Sequence, residues 1–331
     1  MTIPTTFRAF RIFNDYHAHR AGVEEVTLDD LSPGQIVIKS AYSSVNYKDA
    51  LAGTGEGRIL RKFPLVGGID VAGHVVASTD ARFREGDAVL CTGSRLSETR
   101  DGGYSEYVRL DAASTIALPP GLDLREAMIL GTAGFTAGLA LLRMEQNDQM
   151  PSMGPIAVTG ATGGVGMLAI GILARAGYAV HAITGKSVHS DFLTVLGAQQ
   201  VILRNELHLG TRPLENALWA GAIDSVGDAM LAGLTRTILP YGNIACCGLA
   251  GGATLTTTVM PMILRGVSLL GIASTDTPRV QRDQVWERLA GPWKPAHLEA
   301  ICTHTVGLDD LRQVFPGMLA GGSFGRTLVQ L

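Results

Sequence analysis

No run of about 18 uninterrupted apolar residues crosses this sequence, so nothing in it reads as a bilayer-spanning helix. Cysteine is scarce. The four present, Cys91, Cys246, Cys247 and Cys302, lack the spacing of a disulfide framework or a zinc ribbon. Cys246 and Cys247 sit in an apolar run and read as buried strand thiols. Met1–Phe13 carries Arg8 and Arg11 and no long apolar core, which disfavours a secretory leader and makes a reduced, cytoplasmic location the expectation. Charge is sparse at 17% of residues, with a net of −3, so nothing pulls the chain toward nucleic acid or an anionic membrane. The cations are scattered, which leaves room only for small anionic ligands held by a local cluster. Eight histidines (His17, His19, His74, His181, His189, His208, His297 and His304) share no metal-ligand spacing. What the chain does have is 331 residues, 46% of them hydrophobic, enough for about two domains with large cores.

Two textures alternate along it. Residues 1–125 read as short strands between turns: Gln35–Ser40, Val71–Ser78, Ala88–Thr92, Tyr104–Leu110 and Ser114–Leu118, with Pro33-Gly34, Gly86-Asp87 and Gly102-Gly103 as punctuation. From Glu126 an Ala- and Leu-rich helix, Ala127–Leu142, opens a β/α alternation of the kind a parallel sheet requires. Strands are expected at 156–159, 179–184, 200–203, 222–225, 242–247 and 267–273. Helices are expected at 164–176, 189–196, 213–219, 228–236 and 260–264. Past Thr277 the texture is mixed again, with a helix near Arg282–Leu289 and a last strand at Arg326–Gln330. The domains expected are therefore 1–125 and 278–331 together, with 126–277 inserted between them.

The run Ile156-Ala-Val-Thr-Gly160-Ala-Thr162-Gly163-Gly164-Val165-Gly166 leads from strand into helix. Glycines there let the backbone turn tightly and approach a pyrophosphate, which rests on the helix N-terminus. The spacing is G-x-x-G-x-x-G, and the strand before it and the Ala-rich helix after it supply the context a dinucleotide site needs. A ligand-free packing turn is the bland alternative. The second strand ends in Thr184-Gly185-Lys186-Ser187, where an NAD site would place a carboxylate on the ribose. With no carboxylate to repel a 2′-phosphate, Lys186 as counter-charge, hydroxyls on Thr184 and Ser187, and Arg204 after the third strand, the cofactor expected is NADPH. Lys186 could instead be an ordinary solvated loop lysine.

At this point the sequence resembles the medium-chain dehydrogenases/reductases, and within them the acryloyl-CoA reductase and quinone oxidoreductase branch. The resemblance rests on Ser43-Ser-Val-Asn46-Tyr47-Lys48-Asp49-Ala-Leu, Gly68-Ile-Asp70-Val-Ala-Gly73, Gly131-Thr-Ala-Gly-Phe-Thr-Ala137, Trp219-Ala-Gly-Ala-Ile-Asp224, Cys247-Gly-Leu-Ala-Gly-Gly252, Thr257–Arg265 and Gly325-Arg-Thr-Leu-Val329. It implies a GroES-like β domain carrying an inserted Rossmann domain. It also implies a homodimer joined through the edge of the parallel sheet, here Val267–Ile272. Zinc members of the superfamily use a cysteine where this chain has Asn46, and a Gly-His-Glu frame where it has Ile69. Isoleucine ligates no metal, so the resemblance implies zinc-free chemistry.

Without a metal to polarise a carbonyl, the reaction expected is hydride transfer to the β-carbon of an activated alkene, with electrostatic help for the enolate and a proton to follow. The resemblance places Asn46 and Tyr47 on a strand-loop at the reacting end. Tyr47 would contact the nicotinamide or ribose and help deliver the proton, or simply pack. Asn46 would hydrogen-bond a thioester carbonyl or the nicotinamide amide, while Asp49 and Asp70 fix the loop. Leu249, Ile263 and Ser274 are implied cofactor contacts. The family's asparagine before the final Gly-Arg is replaced by Gly321-Gly322-Ser323. Arg58, Arg61 and Lys62 are candidate partners for coenzyme A phosphates, or solvated loop charges. The functions that follow are NADPH-dependent reduction of a short α,β-unsaturated acyl-CoA, acryloyl-CoA first; a quinone or enone reductase; or an NADPH-binding protein without turnover.

Overall fold

The computed structural model describes residues 3–15 and 18–331. Met1, Thr2, Tyr16 and His17 lie outside the described residues, so the reading of Met1–Phe13 is met only from Ile3 onward and that of His17 not at all. The chain forms two compact units. One holds the residues up to Thr132 with Thr275–Asp283 and Glu299–Leu331; the other holds Ala133–Ser274 and Gln284–Leu298.

The first unit is a β structure. Its main sheet runs Cys302–Val306, Arg326–Gln330, Ile36–Ser44, Asp70–Ser78, Ala88–Thr92 and Ile116–Ala117, and Tyr107–Leu110 also pairs with Ile36–Ser44. The strand Ile36–Ser44 thus has three partners and its apolar residues enter the core: Ile36 and Ile38 are fully buried. A second sheet joins the hairpin Phe7–Asp15 and Ala18–Val26 to Leu65–Val66. Phe10, Tyr104 and Phe315 meet there edge-on and stacked, with ring centroids 5.8–6.4 Å apart.

The second unit is a single parallel sheet. Its strands lie in the order Gln200–Leu203, Val180–Thr184, Ile156–Thr159, Trp219–Asp224, Ile238–Cys246, Ser268–Gly271. Numbered along the chain this is 3-2-1-4-5-6, the doubly wound dinucleotide-binding order. Strands buried on both faces read as continuous apolar runs, as Ile156–Thr159 and Trp219–Asp224 do. The glycine-turn helix Gly164–Arg175 buries Met167 through Leu173 without a gap.

Three expectations need correction. The helix expected at 213–219 does not form, because the backbone there bonds elsewhere: Glu215 N–H donates to Arg236 O and Leu218 N–H to Thr237 O. Pro213 has no N–H to give, and Arg212 closes a local turn onto the Glu215 carboxylate. Tyr47 is not on a strand-loop but opens a helix, while Asn46 does lie in the two-residue loop after the strand Ile36–Ser44. Asn46 caps the helix Tyr47–Thr54, with its own N–H donating to the Asp49 carboxylate at 2.9 Å. Cys246 and Cys247 are half-buried at and just beyond a strand end.

The helix Leu124–Glu145 is long and apolar enough to span a bilayer by length and composition, but 89% of that window is buried. It is also broken at Gly131, whose φ of 48° and ψ of −154° are open only to glycine.

Candidate functional site

The glycine turn sits where the strand order reverses, between Ile156–Thr159 and Trp219–Asp224, which is where open α/β sheets bind ligands. Gly160 takes a left-handed φ of 59° and starts the turn. Gly163 caps the helix, its N–H donating to Gly160 O at 2.9 Å. A β-carbon on Gly166 would lie 2.3 Å from Gly160 O, so the first helical turn can lie this close to the strand end only with glycine there. Thr162 is buried, while Gly163, Gly164 and Val165 are half-exposed, so amides at the helix N-terminus face outward. These features fit a pyrophosphate: a positive helix end, unfilled backbone donors and no side chain in the way.

Beneath the turn is a device that the sequence reading did not assign. Thr159 Oγ1 donates to Asp224 Oδ1 at 2.7 Å and accepts from Ser225 N–H at 3.1 Å. Asp224 also accepts from Gly227 N–H at 2.8 Å. Ser225 Oγ donates to Thr159 O, and its position would clash with any β-carbon on Gly160. Burial raises the Asp224 pKa against these bonds. The Cys247 thiol donates to Asp224 O, and burial, followed by the charge of Asp224, pushes its pKa up to about 12. Asp224 closes the quoted Trp219–Asp224 motif, so the signal was present without a role.

The second strand ends as expected. Thr184 is buried, and its hydroxyl accepts from Lys186 N–H at 3.0 Å. Arg204 N–H donates to Thr184 O at 2.8 Å, and its guanidinium stands over Gly185 within 3.3 Å of where a β-carbon would be. Lys186 is half-buried, and desolvation lowers its pKa. Ser187 is exposed and opens a short 3₁₀ turn. Two cations and two hydroxyls therefore share one strand end, as a phosphate monoester requires. Leu249 and Ile263 are exposed, and Ser274 follows the last strand; all three lie on this unit.

In the first unit the polar chemistry is side chain to side chain. The Asn46 amide is consumed within the protein: Nδ2 donates to Asp49 Oδ2 at 3.1 Å and to Asp70 Oδ2 at 2.7 Å, and Oδ1 accepts from Arg326 Nη1 at 3.1 Å. Arg326, 3% exposed, also donates to Ile129 O, Val45 O and Ser44 Oγ. Asp70, fully buried, accepts from Ser44 Oγ, Thr132 N–H and Thr132 Oγ1. Burial and then the charge of Asp70 raise the Asp49 pKa to about 7, against hydrogen bonds from Asn46 and Ile69. Gly131 lies against this network, since a β-carbon there would come within 2.8 Å of Asp70, Ser44 and Arg326. Asn46 is thus a fixed corner rather than a free donor, and the next side chain, Tyr47, is left 45% exposed.

Asp49 and Asp70 hold the loop, as the sequence suggested, while the part played by Arg326 and Gly131 came from the structure alone. Ile69 fills its position with a buried side chain, and its backbone N–H donates to Asp49 Oδ1 at 2.9 Å. Among the described residues no three His, Cys, Asp or Glu side chains come together as a metal site. Arg58, Arg61 and Lys62 are exposed on the stretch after the Tyr47 helix, and Gly321–Ser323 lie between the helix Leu311–Leu319 and the last strand.

Comparison with known proteins now has a geometry to meet. The Alcohol dehydrogenase GroES-like domain family matches residues 32–120. The chain is 44% identical to acrylyl-CoA reductase AcuI of Ruegeria pomeroyi over 313 residues, 94% of each chain. It is equally 44% identical to YhfP of Bacillus subtilis, a protein carrying a quinone oxidoreductase name, over 99% of each. The chain belongs to the zinc-independent medium-chain dehydrogenases/reductases, in the branch of AcuI and YhfP. Solved structures of that branch superpose on it closely. The yhdH oxidoreductase of Salmonella enterica in complex with NADP gives a TM-score of 0.94 at 42% identity, covering 98% of this chain and 99% of that one. Bacillus subtilis yhfP with NAD bound gives 0.95 at 42% identity, covering 99% and 100%. The fold is thus a GroES-like β domain with an inserted Rossmann domain.

Proposed function

We propose that the chain reduces the C=C bond of a short α,β-unsaturated acyl-CoA thioester, acryloyl-CoA first, with NADPH as hydride donor. It is an NADPH-dependent oxidoreductase; the substrate is the further step. The observation that carries the substrate is the 44% identity to an acrylyl-CoA reductase along 94% of both chains. The nicotinamide, when bound, supplies a hydride for the β-carbon. The protein supplies the rest: the Gly160–Gly166 turn seats the pyrophosphate, and Thr184, Lys186 and Arg204 hold the 2′-phosphate.

Asn46, with its amide engaged on both sides, serves as a positioning residue for Tyr47. Tyr47 meets the substrate and returns a proton to the α-carbon, after which solvent reprotonates the phenol. Replacing Tyr47 by Phe then lowers kcat by about 10–100-fold; an unchanged kcat makes solvent the donor. NADPH oxidation, followed by its absorbance, against acryloyl-CoA, crotonyl-CoA and a quinone tests the whole reading. No acceleration by either thioester sinks it.

The equal identity to YhfP favours one alternative, a quinone or enone reductase on the same scaffold. Turnover of a quinone with none of acryloyl-CoA decides for that. The strand Ser268–Gly271 ends the parallel sheet with Leu269 partly exposed, which supports pairing of two copies edge to edge. Sedimentation that finds only monomer rejects the homodimer.

A further inference from the structure

A cavity of about 490 Å³ opens in the first unit, and none of Arg58, Arg61 and Lys62 is among its wall residues, although the Arg61 N–H donates to Glu98 O beside the wall. Its volume is in the range of small-molecule sites, but its walls are polar and cationic rather than apolar. Arg95, Arg100, Arg279 and Arg282 line it against only two acids, Asp111 and Asp276. That is a local excess of two positive charges in a chain whose net charge is −3. The other wall residues are almost all hydroxyl-bearing.

The walls are built rather than incidental. Arg282 is buried, held by Thr92 O at 2.8 Å, Thr92 Oγ1 at 3.1 Å and Thr275 O at 3.2 Å. Arg100 is fixed by Asp111 at 2.9 Å, and Arg279 donates to Thr115 O at 3.0 Å besides its pair with Asp283. Ser94 and Arg95 both adopt left-handed backbone, φ 50° and 67°, in a place where glycine would be the unstrained choice. The chain accepts that strain and gains an arginine on the wall. Arg95 faces Asp276 at 3.6 Å with both side chains about two-thirds exposed, a pair of little strength that an incoming phosphate can replace. Glu98, one residue before the wall residue Thr99, is ion-paired to Lys48, and Lys48 follows Tyr47 in the helix. The cavity is therefore tied to the corner that presents Tyr47.

Resting on the acyl-CoA reading above, we propose that this cavity binds the 3′-phosphate and pyrophosphate of the substrate's coenzyme A half, with Arg95 as the adaptable contact. The bidentate guanidinium matches phosphate oxygens, and the anchored arginines supply the fixed field around them. The apolar acyl end is then left to the Tyr47 corner.

Two measurements test it. The first compares kcat/KM for acryloyl-CoA with that for acryloyl-N-acetylcysteamine, which lacks the nucleotide. In R95E the ratio falls roughly tenfold, as loss of one charge-assisted contact requires; a ratio within about twofold of the parent, or a fall produced instead by R58A/R61A/K62A, overturns the assignment. The second is calorimetric binding of 3′,5′-ADP with NADP⁺ saturating, so that the dinucleotide site is filled. Binding that R95E weakens supports the cavity even if acryloyl-CoA proves not to be turned over, in which case the substrate reading alone falls. No binding at millimolar 3′,5′-ADP, or binding that R95E leaves intact, removes the cavity as the site.

Discussion

In the parallel-sheet unit the glycine turn of the candidate site is made of backbone: amides at a helix end, a left-handed Gly160, and a Gly166 with no side chain. In the β unit the matching region is made of side chains: Asn46, Asp49, Asp70, Thr132 and Arg326 exchange hydrogen bonds until little polar capacity remains. A backbone site tolerates changes in its surroundings and fails where atoms are added. A side-chain network tolerates little removal, because each deleted partner leaves another polar group buried without its bond.

This contrast can be broken or sharpened by experiment. The largest effect is expected at Arg326. Its replacement by Leu removes the cation beside Asp70 and the donors to four oxygens, those of Ile129, Val45, Asn46 and Ser44, and should cost about 3–5 kcal/mol in urea unfolding. Arg326→Lys should recover part of that; a loss below about 1 kcal/mol for the Leu variant would mean the network is not cooperative. Next comes Gly166→Ala, which puts a β-carbon 2.3 Å from Gly160 O. The overpacking of about 1–3 kcal/mol should appear mainly as weaker NADPH binding, measured by fluorescence titration. If stability falls and binding does not, the turn is a packing device.

Lys186→Asp should weaken NADPH by about 10–100-fold, the worth of a charged hydrogen bond, and NADH much less. An equal effect on both would return the site to NAD, the dinucleotide found in the yhfP structure. The smallest effect concerns pH. Asp49 has a folded pKa raised to about 7 by burial, above its unfolded value near 3.9. The folded state therefore binds the extra proton between these values, and this group's contribution to stability declines as pH rises from about 4 to 7. Subtracting the unfolding free energy of Asp49→Asn from that of the parent across this window should expose the decline; a flat difference would show that Asp49 stays ionised throughout.

The two regions also differ in how far they could be read from sequence. The glycine turn, its strand and the Thr184–Lys186 end fall within one βαβ length, so local spacing carries them, and the strands at 156–159 and 200–203 were placed to the residue. The Asn46 corner is joined to Arg326 across 280 residues, and no local pattern encodes such a bond. Resemblance marked Gly325-Arg as a motif without saying what the arginine touches. The hairpin Phe7–Asp15 and Ala18–Val26 and the helix Tyr47–Thr54 were also missed, the first because its charged residues blur the alternation, the second because it is only eight residues long. The helix expected at 213–219 failed for the converse reason: its composition was permissive, but the chain found its backbone partners at Arg236 and Thr237.

The span between Asn46 and Arg326 also sets an order of events during synthesis. Every strand of the parallel sheet has been made before Arg326 emerges, whereas the Asn46 corner must wait for it. A nascent chain can therefore seat a dinucleotide before it can organise Tyr47, so the cofactor unit is born ready and the reacting corner is finished last.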